Sequence, residues 1–158
     1  MLPLPLNTIQ IFYAKVFREL GKAISPDNIE LITELTRGYP YLLQLIGYYI
    51  LEYTGTSTEI SNENISFAYK SAKRDMIDNI YEPVIKLLSN KDMQFLKAMS
   101  ADGNNSQISM IKNRLNINDN TAQLYRKRLI DAGVIASTRR GEVEFTLPYF
   151  NEYLCDKL

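Results

Sequence analysis

The chain has no histidine, and Cys155 is its single cysteine. Those two shortages remove the imidazole and thiolate clusters that hold zinc, any disulfide within the chain, and a Cys-His nucleophile pair. Also missing is an uninterrupted apolar run approaching the ~20 residues of a membrane span. The opening "MLPLPL" lacks the basic flank and length of a secretory signal. The expectation is a cytoplasmic protein with no membrane partner. There is no internal repeat, no low-complexity segment and no net charge, since 18 Lys and Arg balance 18 Asp and Glu.

What is present is a chain of 158 residues, 46% of them apolar, enough for one packed core or two small ones. The first half reads as helices. Each proline of the Leu-Pro opening fixes its own φ and biases its predecessor away from helix, so this segment reads as an extended entry, as in a chain cut from something longer. Asn7 is placed to cap a helix reaching about Gly21, with Ile9, Phe12, Val16 and Leu20 at inward spacing. Ser25 and Pro26 open a second helix carrying Ile29, Ile32 and Leu35, which stops at Gly38.

Pro40 opens a third helix that is apolar almost all round: Leu42, Leu43, Leu45, Ile46, Tyr48, Tyr49, Ile50 and Leu51 cover most of its circumference. An amphipathic surface helix needs one apolar stripe, so this one calls for cover on two sides. After the polar stretch "EYTGTSTEIS", Ser61 caps a longer helix with Ile65, Ala68, Tyr69, Ala72, Met76 and Ile80 on one face. Pro83 is expected to bend or end it.

From Ser89 the pattern changes. The segments "KDMQFLKAMSA", "QISMIKNRL" and "TAQLYRKRLIDAG" read as three helices separated by "DGNNS" and "NINDN", with Phe95, Leu96 and Met99 inward in the first. After Gly133 two alternating runs, Val134 to Thr138 and Glu142 to Leu147, flank "RRGE", where Gly141 suits a hairpin turn. Three helices and a hairpin make the order of a winged helix-turn-helix, and "PYFNEYLCDKL" reads as a closing helix with Phe150 and Leu154 inward. The expected fold is mainly α: a helical bundle over residues 1–85, then a winged helix-turn-helix with a small β-hairpin wing over residues 86–158.

The zero net charge hides an asymmetry. Residues 1–88 hold 8 basic and 10 acidic residues, and residues 89–158 hold 10 and 8. From Lys112 to Arg140 there are seven basic residues against Asp119 and Asp131, which suits phosphate-facing elements. The candidate recognition helix is Thr121 to Ala132. With Ala122, Tyr125 and Leu129 inward, Thr121, Gln123, Leu124, Lys127 and Arg128 face out. Thr121, Gln123, Lys127 and Arg128, with Arg139 and Arg140 of the wing, are the candidate DNA-binding residues. Glu142 and Glu144 alternate along a strand and receive no acid-base role. No catalytic or metal-binding residue is assigned.

Gly38-Tyr39-Pro40 at the head of an apolar helix, following an extended Leu-Pro entry, resembles the lid region of AAA+/STAND P-loop ATPases. The segments "TRGYPYLLQLIGYYI", "AKRDMIDNIYEPVIKLLSNKDMQFLKAM" and "YRKRLIDAGVIASTRRGEVEFTLPYFNEYL" are similar to the C-terminal part of bacterial and archaeal predicted ATPases, including relatives of archaeal replication initiators. The resemblance implies that Gly38, Tyr39 and Pro40 form one wall of a nucleotide pocket, with the proline near the adenine. It covers only the downstream part of that family's pattern, because the Gly-x-x-x-x-Gly-Lys-Ser/Thr phosphate loop and the acidic Mg²⁺ strand are missing.

The chain is therefore expected to bind no cofactor tightly and to catalyse nothing by itself, with ATP and Mg²⁺ implied for a parent protein whose upstream P-loop domain is a partner. Duplex DNA is the expected partner of the winged helix. Two alternatives are a stand-alone winged-helix transcription regulator with a helical dimerisation or sensing domain, and a winged-helix adaptor that docks a protein. Arg37 reads as a solvated last-turn residue favourable to the helix dipole.

Overall fold

The structure is a computed structural model that describes residues 3–157. Met1 and Leu2 of the Leu-Pro opening and Leu158 of the closing segment lie outside the described residues. The chain divides into two compact units, residues 1–80 and 81–158. It is mainly helical, with one small antiparallel sheet of three strands. Among the described residues no helix is long and apolar enough to cross a membrane.

The first unit contains α1 (Leu6–Glu19), α2 (Pro26–Leu35), α3 (Pro40–Thr54) and α4 (Asn62–Met76). Its core side chains include Ile9, Tyr13, Phe17, Ile32, Leu42, Ile46, Ile50, Ala68 and Met76. Helices α3 and α4 pack along each other and α1 packs on α2. The caps at α2 and α4 are the expected ones: Ser25 accepts from the Asn28 N–H, and Ser61 forms a reciprocal box with Asn64. Asn7 does not cap α1. The helix starts at Leu6, two residues earlier than a cap at Asn7 would place it, directly after Pro5 in an extended conformation (φ −59°, ψ 134°), and Asn7 Oδ1 accepts from the Thr8 N–H within the first turn.

The buried face of α1 also differs from the expectation. Ile9, Tyr13 and Phe17 point inward, while Phe12 and Leu20 are exposed and Val16 is half-buried. Both sets recur at helical spacing. Tyr13 goes inside because its hydroxyl donates to the Leu43 carbonyl at 2.7 Å, which satisfies its one polar atom in the core.

Pro83 neither ends nor breaks the helical path. A π-helical turn, Ile77–Tyr81, follows α4 and leads into α5 (Glu82–Lys86), with Pro83 in its first turn. The proline, which has no N–H to give to an upstream carbonyl, comes just after the π-helical turn, where the regular i→i−4 ladder is already interrupted. The division between units falls at Tyr81, five residues before the expected boundary, because α5 is held by the second unit. The Tyr81 hydroxyl donates to the Pro148 carbonyl, Tyr81 packs on Phe150 and Tyr153, and Glu82 accepts from Tyr153 and from Lys157.

The second unit adds α6 (Asn90–Ser100), β1 (Asn105–Gln107), α7 (Ile108–Leu115), α8 (Asp119–Asp131), β2 (Ile135–Ser137), β3 (Glu142–Phe145) and α9 (Phe150–Lys157). Its core is Phe95, Leu96, Met99, Ile111, Leu129, Val143, Phe150 and Leu154. Helix α8 begins two residues before the expected Thr121, since Asn118 caps it by accepting from the Thr121 N–H at 2.8 Å. The β2–β3 hairpin is the expected wing, registered with Ile135 opposite Phe145 and Ser137 opposite Val143.

Strand β1 was not expected, because Asn105, Ser106 and Gln107 form a short polar run without a β-branched residue. It exists by pairing with β3, Ser106 opposite Val143, which makes β3 the central strand. Asn105 and Gln107 side chains both donate to the Glu142 carboxylate, at 3.0 and 3.4 Å.

Candidate nucleotide-wall and nucleic-acid surfaces

In the first unit the chain turns sharply between α2 and α3. Thr36 caps α2, Arg37 (φ 46°) and Gly38 (φ 78°) are left-handed, and Tyr39 is the extended N-cap of α3. The turn is pinned from below by buried Thr36, whose hydroxyl donates to the Thr33 carbonyl at 2.6 Å and accepts from the Gly38 N–H at 3.1 Å. It is crossed from above by the extended entry: the Leu4 N–H donates to the Gly38 carbonyl at 2.7 Å. A Cβ on Gly38 would stand 2.6 Å from the Leu4 carbonyl oxygen, so the position requires glycine for both its φ and the close backbone approach.

The Leu-Pro entry and the Gly-Tyr-Pro segment, far apart in sequence, are therefore one structural feature. Tyr39, Pro40 and Tyr41 are half-buried beside it. Burial raises the Tyr39 phenol above its ordinary pKa, with Tyr41 adding to the effect. Tyr41 receives a long contact, 3.5 Å, from the Asn79 amide of the π-helical turn. This leaves partly open aromatic and proline faces at the start of α3, suited to packing against a flat ring. Nothing in the turn supplies the loop of backbone donors that would cradle phosphates.

Helix α3 is covered on two sides and open on a third. Its Leu42, Ile46 and Ile50 are buried, with α4 along one side and α1 meeting it at Gly47, where Tyr13 approaches closely. Between α1 and α3 lies an apolar groove of about 240 Å³ lined by Phe12, Val16, Leu43, Gly47, Tyr48 and Leu51. Tyr48 is 56% exposed and Phe12 46%. Further along, Tyr49 donates to Asp75 at 2.7 Å, and that carboxylate pushes its phenol up to about 12.

In the second unit α8 displays the expected residues. Ala122 and Leu129 are buried, while Gln123, Leu124, Lys127 and Arg128 are exposed and Thr121 is half-buried. Tyr125, expected inward, is half-buried. Arg139 and Arg140 are exposed in the hairpin turn, where Gly141 (φ 76°) takes the left-handed position.

Reading charge along the chain missed the ion pairing. Lys112 bridges to Asp119 at 2.8 Å and Lys127 to Asp131 at 2.9 Å; Arg114 holds Asp102, and Arg128 reaches buried Asp92 at 2.9 Å. The Lys127 pair, one helical turn apart, was legible as an i, i+4 spacing. The Arg128 pair was not, since it joins residues 36 apart. Arg126 donates to the Ser137 hydroxyl at 2.9 Å. Asp131 keeps the Lys127 ammonium charged above its usual range, and Arg114 holds the Asp102 carboxyl below its own. Arg139 and Arg140 take part in no ion pair among the described residues.

Among the described residues no group of three or more Cys, Asp or Glu is placed to hold a metal ion. Cys155 is exposed and free. A family model described as a domain of unknown function, DUF8462, matches residues 78–154, a span that lies almost entirely in the second unit. No curated protein matches the sequence. Among solved structures, the Walker-type ATPase PABY2304 of Pyrococcus abyssi has a similar fold, with a TM-score of 0.73 and 20% identity across 97% of this chain and 42% of that one. The chain thus spans less than half the length of that ATPase, and at such identity the likeness is one of fold.

Proposed function

We propose that this chain is the lid-plus-winged-helix portion of a Walker-type ATPase, with no catalysis of its own. The observation that carries the reading is the fold likeness over nearly the whole chain to under half of such an ATPase, in a sequence that lacks the phosphate loop. The first unit is the lid. Gly38, Tyr39 and Pro40 would form one wall of a nucleotide pocket, and ATP and Mg²⁺ would be held by a P-loop domain upstream. Tyr39 and Pro40 fit that role as a wall for the base, through their half-open faces. The apolar groove beside Tyr48 would be covered by the same domain, which accounts for a helix apolar beyond the needs of its own core.

The second unit, in this reading, is a winged helix that binds duplex DNA. Helix α8 would enter the major groove with Thr121, Gln123, Lys127 and Arg128, and the wing arginines Arg139 and Arg140 would meet phosphates. A protein-docking surface is the second reading. It is favoured by Leu124, 55% exposed on the face of α8 that would be read against DNA, and by the engagement of Lys112 and Lys127 with carboxylates of the unit itself.

Isothermal titration with Mg·ATP tests the lid assignment. The expected result is no tight binding to this chain alone, and tight binding by the chain joined to a P-loop domain that weakens about tenfold on Tyr39→Ala. ATP turnover by the isolated chain, or a joined protein indifferent to Tyr39 and Pro40 substitutions, would overturn it.

A further inference from the structure

Asp92 is the most deeply buried carboxylate of the second unit, with a side chain 3% exposed. Its Oδ2 accepts from the Ser89 N–H at 3.0 Å, the Ser89 hydroxyl at 2.8 Å and the Arg128 guanidinium at 2.9 Å. Its Oδ1 is buried with no hydrogen-bond partner. A buried carboxylate with one oxygen unsatisfied depends strongly on its cation, and among the described residues that cation is Arg128.

Arg128 is held a second time. Its guanidinium carbon lies 5.7 Å from the ring centre of Tyr125, one turn back on α8. Its side chain is nevertheless 51% exposed. A guanidinium has five donors in a rigid planar fork, and one NH2 group is committed to Asp92. The rest of the fork is left for solvent or a ligand, with its orientation fixed by the carboxylate behind it.

We propose that Asp92 is a positioning residue for nucleic-acid binding: it holds Arg128 so that the free edge of the guanidinium meets a backbone phosphate of duplex DNA. The inference rests on the DNA-binding reading of the second unit and deepens it. Arg128 serves as a phosphate clamp rather than a base reader, and the wing arginines add charge that no carboxylate positions among the described residues. A fixed guanidinium loses little freedom on meeting a phosphate, and its fork matches two phosphate oxygens at once.

The test is Asp92→Asn, because simple electrostatics and positioning predict opposite signs. Removing a negative charge from the binding side strengthens DNA binding if charge alone matters. If Asp92 positions Arg128, the variant binds more weakly although it carries more positive charge. The measurement is fluorescence anisotropy of the full chain with a labelled random-sequence duplex at several salt concentrations, with circular dichroism as the folding check.

The expected result is about a tenfold loss of affinity and a slope of log affinity against log salt reduced by about one phosphate contact. Arg128→Lys keeps the charge next to Asp92 and removes the fork, so it should show the same loss; it also decides the matter should Asp92→Asn fail to fold. A purely structural role for Asp92 would change the melting temperature and leave the salt slope of the folded protein unchanged. Unchanged or tighter binding by folded Asp92→Asn and Arg128→Lys, with binding still lost on Arg139→Ala/Arg140→Ala, would overturn the positioning role and leave the DNA reading intact. Absence of duplex binding by the unsubstituted chain even at low salt would overturn both.

Discussion

The two units are built with different chemistry. In the second unit carboxylates hold basic side chains at close range, in the pairs Lys112–Asp119, Arg114–Asp102, Lys127–Asp131, Arg128–Asp92 and Lys157–Glu82, whereas the Lys15–Glu19 pair of the first is long, 3.9 Å, and exposed on both sides. The first unit instead shows large apolar side chains to solvent, among them Ile11, Phe12, Tyr48, Tyr53 and Phe67, in a short four-helix unit. Charge in the second unit is organised and apolar surface in the first is left over, the contrast that the proposed covering of the first unit and the proposed DNA binding of the second would each require.

The strongest way to probe the contrast is through the two cores, where the units should behave alike. Phe17→Ala in the first unit and Phe150→Ala in the second each remove a fully buried ring, and each should cost about 3–5 kcal/mol in chemical denaturation. Less than about 1 kcal/mol for either would deny that ring its place in a core. Next in size is Gly38→Ala, which combines a positive φ with a Cβ 2.6 Å from the Leu4 carbonyl. It should cost about 1–3 kcal/mol and release the entry segment. Limited proteolysis ahead of α1 reads that release directly, and an unchanged cleavage pattern would contradict the crossing at Gly38.

The pairs of the second unit predict an acid sensitivity. Arg114 holds the Asp102 carboxyl below its ordinary value, so the folded state gains stability above about pH 4, the unfolded carboxylate range. That gain disappears as pH falls through the lower folded value. Arg114→Ala should lower stability near neutrality and flatten the acid limb of stability against pH; a limb of the same steepness in the variant would assign the acid response elsewhere. The smallest effect belongs to the exposed groove of the first unit. Phe12→Ser with Tyr48→Ser should change stability by less than about 0.5 kcal/mol per site, while lowering binding of a hydrophobic dye. Undiminished dye binding would place the sticky surface elsewhere.

Much of this fold was legible in the sequence because its signals are local. Ser25 and Ser61 each cap the helix expected of them, and Gly141 turns the wing. The misreadings arose where distant residues decide the outcome. Tyr13 rather than Phe12 is buried because a carbonyl on another helix accepts its hydroxyl. Strand β1 exists because β3 offers a free edge and Glu142 receives its amides. The candidate surfaces followed the same rule. The exposure of Gln123, Lys127 and Arg128 came from helical spacing, whereas the Asp92 partner of Arg128 and the crossing of Leu4 over Gly38 are long-range contacts that no spacing encodes.

The most direct test of the central proposal is duplex DNA binding by the whole chain, titrated at several salt concentrations beside a variant with Lys127, Arg139 and Arg140 changed to Ala. These three are exposed, so the variant should keep its fold. Binding that weakens steeply with salt and falls at least tenfold in the variant is the expected result, and it would make the second unit a DNA-binding winged helix. Equal binding by both proteins, or none by either at low salt, would contradict that role and turn α8 and its exposed Leu124 into a surface for docking a protein.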